Sequence, residues 1–240
     1  MRTDVYGVGF DNLTMEEAVG RAEALLEAQN TSYVVTPNPE IVWLCRSDPE
    51  LKEIISGAAL VLPDGIGVVY GAKILGRPLK GKLAGIEFAE KLMESMARTN
   101  KSIFLLGAKP GIAEKAAENL ANKYPGLAVA GTADGYFQED GPVVEKINNA
   151  KPDLLLVCLG APKQERWMAR NLRRLNVRVM AGLGGSLDVY AGVVARAPDV
   201  WIKLHLEWLY RLKKEPWRWR RMTKLPLFVL AVIGWRLRGK

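Results

Sequence analysis

Residues that hold metals are scarce in this sequence. One histidine, His205, and two cysteines, Cys45 and Cys158, are present among 240 residues. A histidine-based metal site is excluded, and the cysteines lack the spacing of metal ligands. Both lie in apolar stretches and read as buried thiols, which fits a reducing compartment. No Asp-x-Asp occurs, so the carboxylate pair that often holds a divalent cation beside a diphosphate is missing. There is no G-x-x-x-x-G-K-[ST], and no full G-x-G-x-x-G followed by an acidic ribose partner. P-loop and ordinary dinucleotide sites are therefore set aside. No apolar run approaches the roughly 20 residues that span a bilayer. The N-terminal stretch MRTDVYGVGFDN has no signal-peptide core, so the expected location is the cytoplasm.

What is present is unevenly spread. The chain is 49% hydrophobic and 25% charged, the balance of a globular protein with a sizeable core. Residues 196–240 carry 12 Lys+Arg against 3 Asp+Glu, whereas residues 1–195 carry 22 against 23. Five of the seven tryptophans also fall in the last 45 residues. Such asymmetry predicts that the tail meets something anionic. Nucleic acid is the rival partner, but the near-neutral first 195 residues offer it no continuing basic track. A membrane surface is preferred: residues 225–235 are apolar, too short to cross, and flanked by Arg, Lys and Trp. The reading is a domain over 1–195 and a basic, Trp-rich appendage over 196–240, with no nucleic-acid partner.

Along the first part, strand and helix signals alternate, which predicts a mostly parallel sheet covered by helices. Strands are expected over 32–35, 58–62, 101–106, 127–132, 153–159 and 177–181. Helices are expected over 14–29, opened by a capping box at Thr14 and Glu17, and over 85–99, 111–123, 142–150 and 162–176. The tail adds an amphipathic helix over 199–214 containing His205, read as structural or interfacial, and Pro216 breaks it. Three turns stand out: Thr36-Pro37-Asn38-Pro39-Glu40, Pro63-Asp64-Gly65-Ile66-Gly67 and Gly160-Ala161-Pro162-Lys163-Gln164-Glu165. Each follows an apolar strand and precedes a helix, where ligands bind in open α/β sheets. Asp64 suits a general base acting on a hydroxyl, or a helix N-cap. Thr36, Asn38 and Gln164 suit the orientation of sugar hydroxyl or acetamido groups, or simple turn roles. Glu40 and Glu165 support neighbouring groups or favour helix N-termini. Glycine-rich turns at 107–111, 160–162 and 182–185 can present N–H groups to a diphosphate. With no metal site, a leaving diphosphate must be met by helix N-termini and by cations, with Arg211, Arg218 and Arg221 as candidates.

These turns, together with Phe104-Leu105-Leu106-Gly107, Gly135-Tyr136-Phe137, Gly184-Gly185-Ser186-Leu187-Asp188, Ala191-Gly192, Arg196-Ala197-Pro198 and Glu207-Trp208-Leu209-Tyr210-Arg211, resemble the WecG/TagA/CpsF glycosyltransferases. The match covers nearly the whole chain in order. The resemblance implies a Rossmann-like, mostly parallel sheet with a helical basic C-terminal appendage that closes over the site at the membrane. It implies an inverting enzyme without metal or cofactor, moving N-acetylmannosamine from UDP to undecaprenyl-diphosphate-linked N-acetylglucosamine for wall teichoic acid. The uronic acid donor is the alternative within the family. Asp64 then matches the base, and Thr36, Asn38 and Gln164 the sugar pocket. Lys82, Arg211, Arg218 and Arg221 match substrate-binding positions. Gly107, Tyr136, Gly160, Pro162, Gly184, Gly185 and Asp188 match the nucleotide site. Two departures are Lys82 and Glu87, where family members usually carry Arg and Asp; lysine lacks the bidentate fork. Expected partners are the donor, the lipid-linked acceptor, the inner membrane face, and a second copy of the chain off the membrane.

Overall fold

The computed structural model describes residues 2–214, 216, 219 and 223–238. The chain opens with a hairpin, β1 (Arg2–Val5) and β2 (Val8–Asp11), paired antiparallel. Tyr6 and Gly7 form its two-residue turn, both with positive φ, as a tight hairpin turn requires. Then come α1 (Met15–Glu27), β3 (Ser32–Val35), α2 (Pro39–Leu44), α3 (Pro49–Gly57), β4 (Leu60–Val61), α4 (Ile66–Ile74) and α5 (Gly85–Arg98). The second half adds β5 (Ser102–Gly107), α6 (Ile112–Lys123), β6 (Ala128–Ala133), α7 (Asp140–Ala150), β7 (Leu154–Cys158), α8 (Lys163–Asn171), β8 (Val179–Gly182) and α9 (Ser186–Tyr190). The tail contains α10 (Asp199–Lys203), α11 (Glu207–Lys214) and α12 (Lys224–Leu237).

Six strands form one parallel sheet in the order β4-β3-β8-β7-β5-β6. Its strands are apolar on both sides because helices cover both faces. Alternate residues of β7 show this: Leu155 and Val157 face one layer, Leu154, Leu156 and Cys158 the other. The first layer receives α2, α3, α4, α7, α8 and α12; the second receives α1, α5, α6 and α9. Each fully buried Leu or Phe contributes about 1.5–3 kcal/mol relative to exposure. The chain leaves β5 toward β6 and leaves β7 in the opposite direction toward β8. The topological switch point, where α/β sheets open a crevice, thus lies between β5 and β7.

The expected capping box is present: Glu17 N–H donates to Thr14 Oγ1 at 3.2 Å and Thr14 N–H to Glu17 Oε2 at 2.7 Å. Two helices are shorter than expected. The helix predicted over 162–176 ends at Asn171, and Pro162 is its N-cap. Asn171 turns its amide back onto Trp167 O and onto Asp140, while Asn148 holds Arg174 O and Asn176 N–H. The turn is thereby fixed to α7. The single amphipathic helix expected over 199–214 is two helices. His205 sits exposed in the turn between them with φ 59°, and Leu206 N–H closes that turn on Trp201 O at 2.8 Å. A left-handed residue after the last helical turn ends a helix by satisfying its last carbonyls.

The 225–235 run is part of α12, and one face of it enters the core. Phe228 and Val232 are fully buried against the first layer. Tyr6 of the hairpin turn meets Phe228 and Trp235 edge-on at 6.1 and 5.0 Å. Gly71 of α4 makes room for Phe228, whose ring lies 3.1 Å from where a Cβ would stand.

Candidate active site

All six parallel strands deliver their following loops to one edge of the sheet, so the motif turns are neighbours by construction. Along that edge the loops after β4 and β3 touch. Asp64 N–H donates to Pro37 O at 3.2 Å, and a Cβ on Gly67 would stand 2.7 Å from Pro39 Cγ. Gly65, with φ 88°, is the N-cap of α4, and no side chain caps that helix. Asp64 directly precedes that N-cap, half-buried at the strand end. Asn38 does cap: Ile41 N–H donates to Asn38 Oδ1 at 3.1 Å. The loop carrying Lys82 is drawn to the same place, because Leu83 N–H donates to Pro63 O at 2.8 Å.

One position further along, Thr36 meets the loop after β8. Its Oγ1 donates to Gly182 O at 3.2 Å. Gln164, buried in the first turn of α8, accepts from Gly184 N–H at 2.9 Å through Oε1 and donates to Glu165 Oε1 at 2.9 Å through Nε2. A Cβ on Gly182 would lie 3.0 Å from that Nε2. Thr36, Gln164 and the Gly182–Gly184 turn therefore form one cluster. Gly185 caps α9, and a Cβ there would lie 3.7 Å from Asp188 Oδ2. Asp188 O holds the N–H groups of Val193 and Val194.

At the switch point lies a cavity of about 530 Å³, lined by Ala108, Tyr136, Phe137, Cys158, Leu159 and Lys163 among others. That volume suits a nucleotide-sized ligand. Gly107, next to the lining residue Ala108, has φ 134°, and any Cβ there would stand 2.3 Å from Cys158 O. Only glycine permits that approach. Tyr136, which lines the cavity, is 63% exposed. Gly160, φ 77°, gives its carbonyl to Gln164 N–H, and Pro162 O accepts from Arg166 N–H, opening α8 beside the cavity. Lys163 donates to Gly135 O at 3.2 Å and stands over the Phe137 ring. Motif spacing did not single out Lys163 as a ligand group, although its place in the turn before α8 was the available signal. Cys158 also lines this wall. Burial pushes its thiol up to about 12, as it does that of Cys45, so neither is a thiolate near neutrality.

The tail reaches this edge through ion pairs. Lys82 is nearly buried and pairs with Glu207 of α11; Glu87 pairs with Arg196. Lys224 of α12 pairs with Glu40 at 3.2 Å. Lys82 and Glu87 thus both meet the tail. The backbone of Arg211 lies in α11, and Arg218 and Arg221 lie outside the described residues. Among the described residues, no three His, Cys, Asp or Glu side chains gather to hold a metal ion, and no helix is long and apolar enough to cross a membrane.

The fold is that of a doubly wound α/β protein whose motif turns gather into a candidate site along the carboxyl edge. The sequence profile of the "Glycosyl transferase WecG/TagA/CpsF family" matches residues 3–240, and the chain belongs to that family of glycosyltransferases. Among its relatives is a Bacillus spizizenii strain W23 protein, 38% identical over 208 residues, 87% of this chain and 81% of that one. A Bacillus subtilis strain 168 protein is 35% identical over 97% of this chain and 92% of its own length. One from Staphylococcus aureus strain MRSA252 is 36% identical over 96% and 92%. All three carry the name N-acetylglucosaminyldiphosphoundecaprenol N-acetyl-beta-D-mannosaminyltransferase.

Proposed function

We propose that this chain transfers N-acetylmannosamine from its UDP conjugate to N-acetylglucosaminyl-diphosphoundecaprenol, the step that commits the lipid to a wall teichoic acid linkage unit. The donor lies along the carboxyl edge. Its nucleoside sits in the switch-point cavity beside Tyr136, and its sugar lies toward Thr36, Asn38 and Gln164. Asp64 takes the proton from the acceptor 4-hydroxyl, that oxygen attacks the anomeric carbon from the face opposite UDP, and UDP leaves with inversion. The leaving diphosphate is met by the N–H groups opening α8, by Lys163 and by cations of the tail, a set of preorganised charges that needs no metal. One observation carries this reading: the Asp64 turn, the Thr36–Gln164–Gly184 cluster and a nucleotide-sized cavity stand side by side on one sheet edge.

The tail, residues 196–240, works as a membrane-binding and site-closing appendage to the domain over 1–195, on the inner face of the cell membrane. Supporting this, α12 turns Leu227, Leu230, Ile233 and Leu237 outward, opposite its buried face. Leu230 is 66% and Leu237 82% exposed, with Arg236 and Arg238 alongside. Apolar side chains ringed by cations suit an anionic lipid surface. Off the membrane the same face suits a second copy of the chain.

The deciding measurement is UDP release from a panel of UDP-sugars, with and without the lipid-diphosphate N-acetylglucosamine acceptor. Acceptor-dependent release from UDP-N-acetylmannosamine is the expected result. Release only from the uronic acid form moves the chain to another polysaccharide, and no acceptor-dependent release from any donor overturns the reaction.

A further inference from the structure

Among the described residues Glu165 is the most deeply buried carboxyl, at 1% exposure, inside the first turn of α8. One oxygen, Oε1, accepts from Gln164 Nε2 at 2.9 Å; the other, Oε2, meets no hydrogen-bond partner among the described residues. A buried carboxyl is costly to keep, and packing alone would be served better by leucine. Besides its own backbone N–H, its polar neighbour among the described residues is the Gln164 amide.

That amide has two ends of nearly equal shape and opposite hydrogen-bonding character. Gly184 N–H can only donate, so it demands the oxygen of Gln164. Glu165 Oε1 accepts, so it demands the nitrogen. The two partners lock the amide from opposite ends. One N–H of Gln164 is thereby consumed by Glu165. The nitrogen carrying the other stands at Gly182, whose carbonyl holds the Thr36 hydroxyl. We infer that Glu165 is a positioning residue: it fixes the Gln164 amide so that a donor N–H, not a carbonyl oxygen, is presented beside Thr36 to the sugar of the donor substrate. This rests on the assignment of that cluster to the sugar. Burial pushes the Glu165 carboxyl above the ordinary glutamate range, against the lowering influence of the Gln164 amide. A neutral acid still accepts that bond through Oε1, so glutamine at this position preserves it and leucine abolishes it.

Three readouts test this on the full-length protein. In kinetics with the best UDP-sugar and lipid acceptor, Glu165→Gln keeps kcat within about twofold, while Glu165→Leu loses roughly tenfold to a hundredfold, the scale of a misplaced contact group. The loss falls on kcat more than on KM for the acceptor, and melting is followed in parallel. In ¹H–¹⁵N spectra of the wild type, one side-chain N–H of Gln164 exchanges slowly and the other responds to the UDP-sugar. A Gln164→Glu sample assigns the pair. Equal kcat in Glu165→Leu and wild type overturns the inference. So do two fast-exchanging Gln164 N–H protons in the wild type, a readout that holds even if Glu165→Leu does not fold. An inactive wild type with one protected N–H refutes the proposed reaction and leaves the locked amide standing.

Discussion

The sheet edge and the tail are held by different forces. At the edge, backbone hydrogen bonds and glycines in close contact fix Asp64, Thr36 and Gln164 to neighbouring strands whose residues are fully buried. In the tail, α10 buries none of its residues, and α10 and α11 connect to the domain through Arg196–Glu87 and Lys82–Glu207. Among the described residues of the tail helices, only α12 buries apolar side chains in the core, Phe228 and Val232. Buried apolar contacts are insensitive to salt, whereas partly exposed ion pairs are screened by it. The proposed reaction would use that division, with a rigid edge for proton transfer and a tail able to open for the lipid. Variants on either side of that division test it.

The largest effect is expected at the edge. Asp64→Asn removes a base but keeps shape, so turnover should fall by about 10²- to 10⁴-fold, the usual contribution of general-base catalysis. UDP affinity by calorimetry should not change, because the proposed nucleotide cavity lies at β5 to β7. Turnover near wild type would remove Asp64 from the chemistry. The anchor comes next. Phe228→Ala should cost about 3–5 kcal/mol, the range for emptying a buried phenylalanine site, read from urea unfolding. A loss below about 1 kcal/mol would mean that α12 is not part of the folded core.

Smaller still is the ionic attachment. Lys82 and Glu207 are both largely covered, at 11% and 21% side-chain exposure. Removing either charge leaves the other poorly paired, which is worse than removing both. Lys82→Met and Glu207→Gln, singly and together, should show a coupling of about 1–3 kcal/mol. Acceptor KM should rise in the singles, and the effect of added salt on wild-type KM should vanish in the double. Strict additivity would mean that the pair does not hold α11 to the site.

The parallel sheet was legible because its strands are unbroken apolar runs ended by Pro- and Gly-bearing turns, and those turns carry the site. The β1–β2 hairpin was not, since Arg2–Val5 and Val8–Asp11 are four residues each and carry Arg, Thr, Asp and Gly. The break at His205 has no glycine or proline to announce it. The docking of α12 was hidden because its apolar residues run all round the helix; Phe228 and Val232, four apart, face the core only because Gly71 and Tyr6 leave a place for them. Glu165 read either as support for a neighbouring group or as a carboxylate favouring a helix N-terminus, and the sequence left the two open because its burial follows from where α8 crosses the sheet.

The smallest effect sharpens the contrast from inside the edge itself. In the unfolded chain Glu165 titrates near 4.5, and burial raises it in the folded one. Below 4.5 both states hold the proton and Glu165 contributes its full stability. Above it the unfolded state releases the proton first, binds fewer protons than the folded state, and stability falls as pH rises through the folded value. The other ionisable groups are unchanged in a Glu165→Gln variant, so the difference between the two proteins isolates Glu165. Glutamine cannot titrate. Its stability should match that of the wild type at pH 4 and exceed it by pH 8, with the gap opening steadily between, as followed by urea unfolding across that range. A gap that opens the other way, with the wild type gaining on the variant as pH rises, would mean that the folded protein prefers the ionised form and that Oε2 has a partner. The neutral acid would then no longer explain why glutamine preserves the Gln164 contact.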